Sequence, residues 1–248
     1  MNQTLTPTLS LSERVREKLR RQLPIVFLNV AMTADGKLAP ASRCFVPFGS
    51  KRDRELLFKL RARADAVLCG ARTVDASPIK LGPGPAKYPR MRLKNGLAEY
   101  NLRVLVSGSG SINPRAEIFK HRFSPIIILT TERAPKSRLK KLRELADEVK
   151  ICGKREIDFA NALRWLRKKW QVKQLVCEGG GEVNGALFRA GLVDEVYATV
   201  CPLIFGGRSS PTLADGPGVA KLTEATRLEL KSSKRVGDEM YLIYGVKK

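Results

Sequence analysis

Long hydrophobic runs are missing from this sequence. Its longest apolar stretches, Ile25 to Val30 and Pro125 to Leu129, are strand-sized, well short of the roughly 18 to 20 residues that a membrane-spanning helix needs. Its opening does not read as a secretory leader either. The opening MNQTLTPTLSLSERVREKLRRQ has no charged region followed by an apolar core and a small-residue cleavage site, so the expected compartment is cytoplasmic. Cysteine is scarce and scattered. Cys44, Cys69, Cys152, Cys177 and Cys201 are odd in number and widely spaced, and four lie in or beside apolar runs where cysteine acts as a small hydrophobe. That spacing argues against a disulfide framework or a cysteine-built metal site. Acidic residues are few, 24 against 46 basic ones, which leaves a formal charge of +22.

Such a charge suits nucleic acid, an anionic membrane surface or an anionic small molecule. The basic residues follow expected helices, in Arg14 to Arg21, Lys51 to Arg63, Arg133 to Arg143 and Arg164 to Lys169, with no arginine-rich tail or RNA-binding signature. Solvated helix faces explain them more simply. A basic nucleic-acid-binding module stays open as the alternative from another functional class, and it predicts affinity that falls steeply with salt.

At 248 residues and 43% apolar composition the chain can bury a sizeable core. Residues 1–22 carry Leu11, Val15 and Leu19, continued by Leu23, at helical spacing on a charged background, with Ser12 as a cap. This basic amphipathic extension is too short and too poor in aromatics for membrane insertion, and is expected to dock on the core or on a partner copy. Residues 23–248 form the main domain, with no internal repeat. Strands are expected at Ile25 to Val30, Ala66 to Cys69, Val104 to Ser107, Ile126 to Leu129, Val149 to Ile151, Leu175 to Cys177 and Glu195 to Val200. Helices are expected at Lys51 to Ala64, Lys136 to Ala146, Ile157 to Trp170 and Glu182 to Ala190. Strands alternating with helices predict a largely parallel α/β sheet between helical layers. From Arg227 onward, two alternating runs joined by a polar glycine turn predict an antiparallel hairpin. Pro83 to Pro89 is expected to be an irregular loop or lid.

Three segments carry candidate chemistry. Leu175–Val176–Cys177–Glu178–Gly179–Gly180–Gly181 is a strand running into three glycines and then a helix. Such a turn offers free backbone N–H groups and the positive end of a helix dipole to a phosphate, although an ordinary strand–helix turn has the same look. Glu178 puts a carboxylate at the end of a central strand, where open α/β sheets bind ligands. Asn29 to Ala39 follows the first strand with Thr33, Asp35, Gly36 and Lys37, either an anion-binding edge or a turn in which Asp35–Gly36 reverses the chain. Cys69–Gly70–Ala71–Arg72–Thr73–Val74 again ends a strand on a glycine, with Thr73 placed to cap a helix and bond a phosphate. Three such loops converge on one sheet edge.

NVAMTADGKLA, DAVLCGARTV, EGGGEVNGALFRAGLVDEV and PLIFGG with Pro211–Thr212–Leu213, in this order, closely resemble the riboflavin-pathway pyrimidine reductases, the reductase domain of the bifunctional riboflavin biosynthesis protein, over about Pro24 to Gly245. The resemblance implies a dihydrofolate-reductase-like three-layer fold, NADPH as cofactor, a homodimer, and hydride delivery to C1′ of a ribosylaminopyrimidine 5′-phosphate, giving a ribityl chain. It implies that Lys37 and Glu178 act in catalysis, and that Lys37, Arg61, Glu178 and Asp75 contact the substrate. Ala31, Thr73, Ser107, Gly180, Gly181, Glu182, Val183 and Asn184, within a run reaching Ala186, are implied to line the NADPH site. Two departures stand out. Asp75–Ala76–Ser77–Pro78–Ile79–Lys80 is one residue shorter than the family's acidic, proline-terminated segment and lacks its downstream arginine, and Val46–Pro47–Phe48–Gly49 replaces a tryptophan–isoleucine–threonine pattern. These leave open a relative that reduces another pterin or pyrimidine, including dihydrofolate. No zinc deaminase half is expected, since His121 is the sole histidine of the sequence and no Pro-Cys-x-x-Cys run occurs in it. A stand-alone reductase is therefore expected.

Overall fold

A computed structural model describes residues 22–44 and 46–247; the expected helix in the N-terminal extension lies outside them. Nine strands form one sheet in the order β5-β4-β3-β2-β6-β1-β7-β9-β8. In chain order they are β1 (Ile25–Thr33), β2 (Ala66–Gly70), β3 (Leu102–Val106), β4 (Ile126–Thr130), β5 (Glu148–Ile151), β6 (Gln174–Cys177), β7 (Glu195–Cys201), β8 (Leu228–Val236) and β9 (Glu239–Val246). β1 to β7 pair in parallel. β9 runs antiparallel to β7 and closes the expected hairpin with β8. The helices are α1 (Lys51–Arg63), α2 (Ala71–Ala76), α3 (Lys87–Lys94), α4 (Lys136–Leu145), α5 (Phe159–Lys169) and α6 (Gly181–Arg189).

Alternation of side chains along each strand divides the core in two. Val26, Leu28, Leu68, Val104 and Leu175 pack with Leu163 and Leu166 of α5 and Leu187 of α6. Phe27, Val67, Leu105, Ile128 and Val176 face the other way, onto Leu60 of α1, Val74 of α2 and Leu142 of α4. A helix–sheet–helix sandwich results. Strands covered on both faces read as near-continuous apolar runs, yet one of them holds a fully buried charge, Arg103 in β3. Its Nη1 donates to the carbonyls of Ile118 (3.1 Å) and His121 (2.7 Å), its Nη2 donates to that of Ser124, and the guanidinium stacks on Phe123. Burial lowers its pKa to about 10, so it stays charged at neutral pH. A charged residue at this position hides the start of β3 in the sequence pattern, where the strand is expected only from Val104.

The Pro83 to Pro89 expectation needs correction. The irregular part ends at Ala86, and α3 begins at Lys87. Pro89 falls in its first turn, where the missing N–H is unpaired in any case.

α1 is capped as its sequence suggests. Ser50 Oγ accepts from the N–H groups of Arg52 (3.1 Å) and Asp53 (3.3 Å). The same hydroxyl donates to Glu239 Oε2 on β9 (2.6 Å), and the Ser50 N–H donates to Oε1 (2.8 Å). Burial pushes the Glu239 carboxyl up, but hydrogen bonds from Ser50 and Tyr241 outweigh it and hold the group below its ordinary range. Asp53 behaves oppositely. Burial, with the Glu239 charge nearby, raises its pKa, and its Oδ1 has no hydrogen-bond partner. A carboxyl whose folded-state pKa is raised is favoured in its neutral form, so its ionisation opposes folding as pH rises. Asp53→Asn is therefore expected to raise Tm at neutral pH, with the gain shrinking as pH falls through the raised pKa. Melting curves across a pH series check this; a lower Tm at every pH would contradict it.

Candidate functional site

The parallel order β2-β6-β1 brings three strand ends side by side, with Leu68 and Leu28 both paired to Cys177. The β2–β6 ladder continues one step past the strands. Glu178 N donates to Leu68 O and Gly70 N to Gly179 O, each at 2.9 Å. Beyond it the backbone turns through left-handed conformations at Gly179 (φ +50°) and Gly180 (φ +73°), which only glycine adopts without strain. A Cβ on Gly179 would lie 2.1 Å from Asn184 Oδ1. α6 starts at Gly181 with no side-chain cap, which leaves its first N–H groups as an anion-ready terminus.

A second loop lies on α6. Asp215 N donates to Gly181 O (2.8 Å), and Asn184 Nδ2 donates to Leu213 O (2.8 Å). This approach needs Gly181 and Gly185, because a Cβ on Gly185 would stand 1.8 Å from Asp215 O. The same loop meets the turn after β1: Leu38 N donates to Pro211 O (2.8 Å), and Lys37 pairs with Thr212 in an isolated bridge. Asp35 is a staple in this turn. Its carboxylate accepts from Thr33 Oγ1 (2.5 Å), Phe205 N (3.3 Å) and Gly206 N (2.8 Å), and the Thr33 bond foremost lowers its pKa. The chain-reversing reading of Asp35–Gly36 thus holds for Asp35 itself, while Lys37 is tied through its backbone to Thr33 and to Thr212.

Glu178 meets Arg61, from the last turn of α1, in a two-pronged pair: Nε to Oε1 and Nη2 to Oε2, both 2.6 Å. The side chains are only 8% and 11% exposed. The remaining arm, Nη1, donates to Gly82 O at 2.6 Å. Bidentate geometry of this kind fixes both the position and the plane of the guanidinium.

The other expected site residues divide into two groups. Thr73 is close to the glycine turn, its Oγ1 standing 3.0 Å from where a Gly180 Cβ would be. It does not cap a helix, however; it sits inside α2, whose first turn follows Gly70 without a side-chain cap. Glu182 pairs with Arg72 across the same turn, and Val183 packs on Gly70. Ala31 lies in β1 opposite Thr199 of β7. Ser107, at the end of β3, donates to Ser111 O (3.0 Å). Asp75 is turned to the β3 side, accepting from Asn113 N (2.9 Å), and is not brought to the Arg61–Glu178 pair. Two buried thiols lie beneath the site. Burial lifts Cys69 far above its ordinary range and Cys177 to about 12, so neither is a thiolate at neutral pH.

The model of the RibD C-terminal domain matches residues 24–242. The chain belongs to the RibD C-terminal domain family. A family member from Methanothermobacter thermautotrophicus, named 2,5-diamino-6-ribosylamino-4(3H)-pyrimidinone 5′-phosphate reductase, is 34% identical over 90% of this chain and 99% of its own length. A protein of the same name from Archaeoglobus fulgidus is 31% identical over 83% of this chain and 93% of its own. Among solved structures, a pyrimidine reductase-like protein from Corynebacterium diphtheriae superposes with a TM-score of 0.74 at 24% identity, covering 91% of this chain and 92% of that one. RibD from Acinetobacter baumannii gives 0.70 at 19% identity, over 92% of this chain and 59% of its own. The mixed, mostly parallel sheet with its antiparallel C-terminal hairpin is thus the fold of the RibD-like, dihydrofolate-reductase-like reductases.

Some site features escape sequence reading altogether. Gly82, Leu213 and Asp215 support the pair and the turn through main-chain groups, which leave no residue-type signature, and Arg92 and Asn101 through side-chain donations to main-chain carbonyls far away in sequence.

Proposed function

We propose that this protein is an NADPH-dependent reductase that converts the ribosylamino group of a 2,5-diaminopyrimidinone 5′-phosphate to ribitylamino, working in the cytoplasm as a homodimer. The observation that carries the reading is the Arg61–Glu178 pair at the mouth of the glycine turn. A glycine turn that opens a helix and a rigid polar pair stand together at the end of β6, as a dinucleotide and a polyhydroxyl substrate require. Residues 180–186 and Thr73 would hold the cofactor diphosphate through backbone N–H groups and a hydroxyl, and Ala31 and Ser107 would flank the rest of the cofactor. Bound there, the cofactor supplies hydride. Glu178 accepts hydrogen bonds from the sugar hydroxyls, while Arg61 holds that carboxylate in place. Lys37 and Arg61 add positive charge where the 5′-phosphate and the opening ribose carry negative charge. Asp75 is the remaining proposed substrate contact. A substrate and a cofactor that are both polyanions give part of the +22 charge a purpose. The names of the relatives, 30 to 34% identical over most of the chain, favour the diaminated pyrimidine.

Loss of NADPH absorbance with the diaminated pyrimidine phosphate, its deaminated counterpart and dihydrofolate, assayed side by side, tests this. The expected result is fastest turnover with the diaminated substrate and none with dihydrofolate. Turnover of dihydrofolate alone would overturn the reading.

A further inference from the structure

We propose that Arg92 and Asn101 are positioning residues for Arg61, acting through its main-chain carbonyl; this rests on the reading of Arg61 as a substrate contact. The last carbonyls of a helix have no intrahelical partners, and water, a glycine turn or a lysine usually serves them. α1 ends differently. Arg92 Nη1 donates to the carbonyls of Arg61 (2.8 Å) and Ala64 (2.5 Å). Asn101 Nδ2 donates to the same two carbonyls, at 2.7 and 2.6 Å. Arg92 Nε is taken by Ala98 O (2.8 Å). Both side chains are buried, Arg92 at 1% and Asn101 at 0% exposure.

Burying a guanidinium and an amide to cap one helix end is costly. Burial lowers the Arg92 pKa to about 10, and Asn101 Oδ1 is left without any partner. The duplication falls on the residue whose side chain grips Glu178. The segment that supplies Arg92 and Asn101 also supplies Gly82, the acceptor for the Arg61 Nη1. It is seated on α1 by Gly84 against the Phe58 ring and by the Phe58–Tyr88 pair, whose centroids are 5.5 Å apart. Residues 82–101 therefore fix Arg61 at both its backbone and its guanidinium. A small misplacement of such a group is expensive in catalysis.

Three variants, assayed for KM, NADPH affinity and Tm, test the proposal. Arg92→Met removes all three donations and is expected to raise KM for the pyrimidine phosphate on the order of tenfold, with fluorescence-titrated NADPH affinity unchanged and Tm lowered. Arg92→Lys keeps one ammonium able to reach both carbonyls but loses Ala98, so it is expected to lower Tm while holding KM near the wild-type value. Asn101→Leu removes two donations together with the orphan acceptor, and carries the test should Arg92→Met fail to fold; it too is expected to raise KM. A purely structural role predicts KM unmoved, or moving in step with Tm in both Arg92 variants; either result overturns the proposal. Arg61→Lys separates the two levels of inference. If its KM is unchanged, the substrate-contact reading falls and this proposal with it. If Arg61→Lys raises KM while Arg92→Met and Asn101→Leu do not, only the positioning role falls.

Discussion

Arg61→Met is expected to cost about 3–5 kcal/mol of stability, because it leaves the Glu178 carboxylate buried without its partner. That is a large share of the roughly 5–15 kcal/mol that holds a typical domain together. Glu178 is only 11% exposed, so solvent can compensate little. The informative comparison is the double variant Arg61→Met/Glu178→Gln, in which no unpaired charge remains. Buried ion pairs replaced as a unit are often nearly neutral for stability, so the double variant is expected to refold close to the wild-type denaturation midpoint. Turnover should be lost in both. A stable but inactive double variant assigns the pair to function rather than to folding, whereas additive destabilisation with surviving turnover would assign it the reverse way. Urea melts and NADPH oxidation on the same samples supply both readings.

Gly185→Ala is expected to have the next largest effect. In the interior of a helix, alanine is ordinarily favoured over glycine by about 1 kcal/mol, so propensity predicts stabilisation. Packing reverses the sign. The new methyl would stand 1.8 Å from the main-chain oxygen of Asp215, and backbone cannot swing aside as a side chain can. Overpacking of this kind costs about 1–3 kcal/mol. The loop that bonds Gly181 and Asn184 must then lift from α6, and NADPH affinity is expected to drop on the order of tenfold, about 1.4 kcal/mol. Gly191→Ala is the control. Its φ of +64° makes it strained, but its Cβ meets nothing, so stability should fall by about 1 kcal/mol with cofactor affinity intact. Equal affinity in both variants would remove the 211–215 loop from the cofactor site.

How much of this was legible in the sequence depends on whether the deciding contacts are local. α1 is legible because Ser50 caps it and Leu56 and Leu60 share a face, features separated by a few residues. α3 is not. Its lead-in is rich in proline and glycine, and its stability comes from Arg92 reaching carbonyls 28 and 31 residues away. The three site loops are legible as glycine or turn residues after apolar runs, and parallel pairing then gathers them. The union of Arg61 with Glu178 spans 117 residues. No periodicity reports such a distance; each residue could be nominated alone, and only the topology joins them. Arg103 shows the opposite failure, a charge inside a central strand that pattern reading places outside it, because three carbonyls neutralise the cost that the pattern assumes.

The strand order also sets a timetable for synthesis. β1 is the first strand of the sheet to leave the ribosome, yet its neighbours on both sides, β6 and β7, are among the last. Ile25 waits for Gln174, roughly 150 residues later, which at about 5–20 residues per second is on the order of 10 s. For that interval VFLNV is an apolar strand with both edges open, the kind of segment that pairs with other chains. A strand near the middle of the finished sheet is thus the one that waits longest for both of its partners.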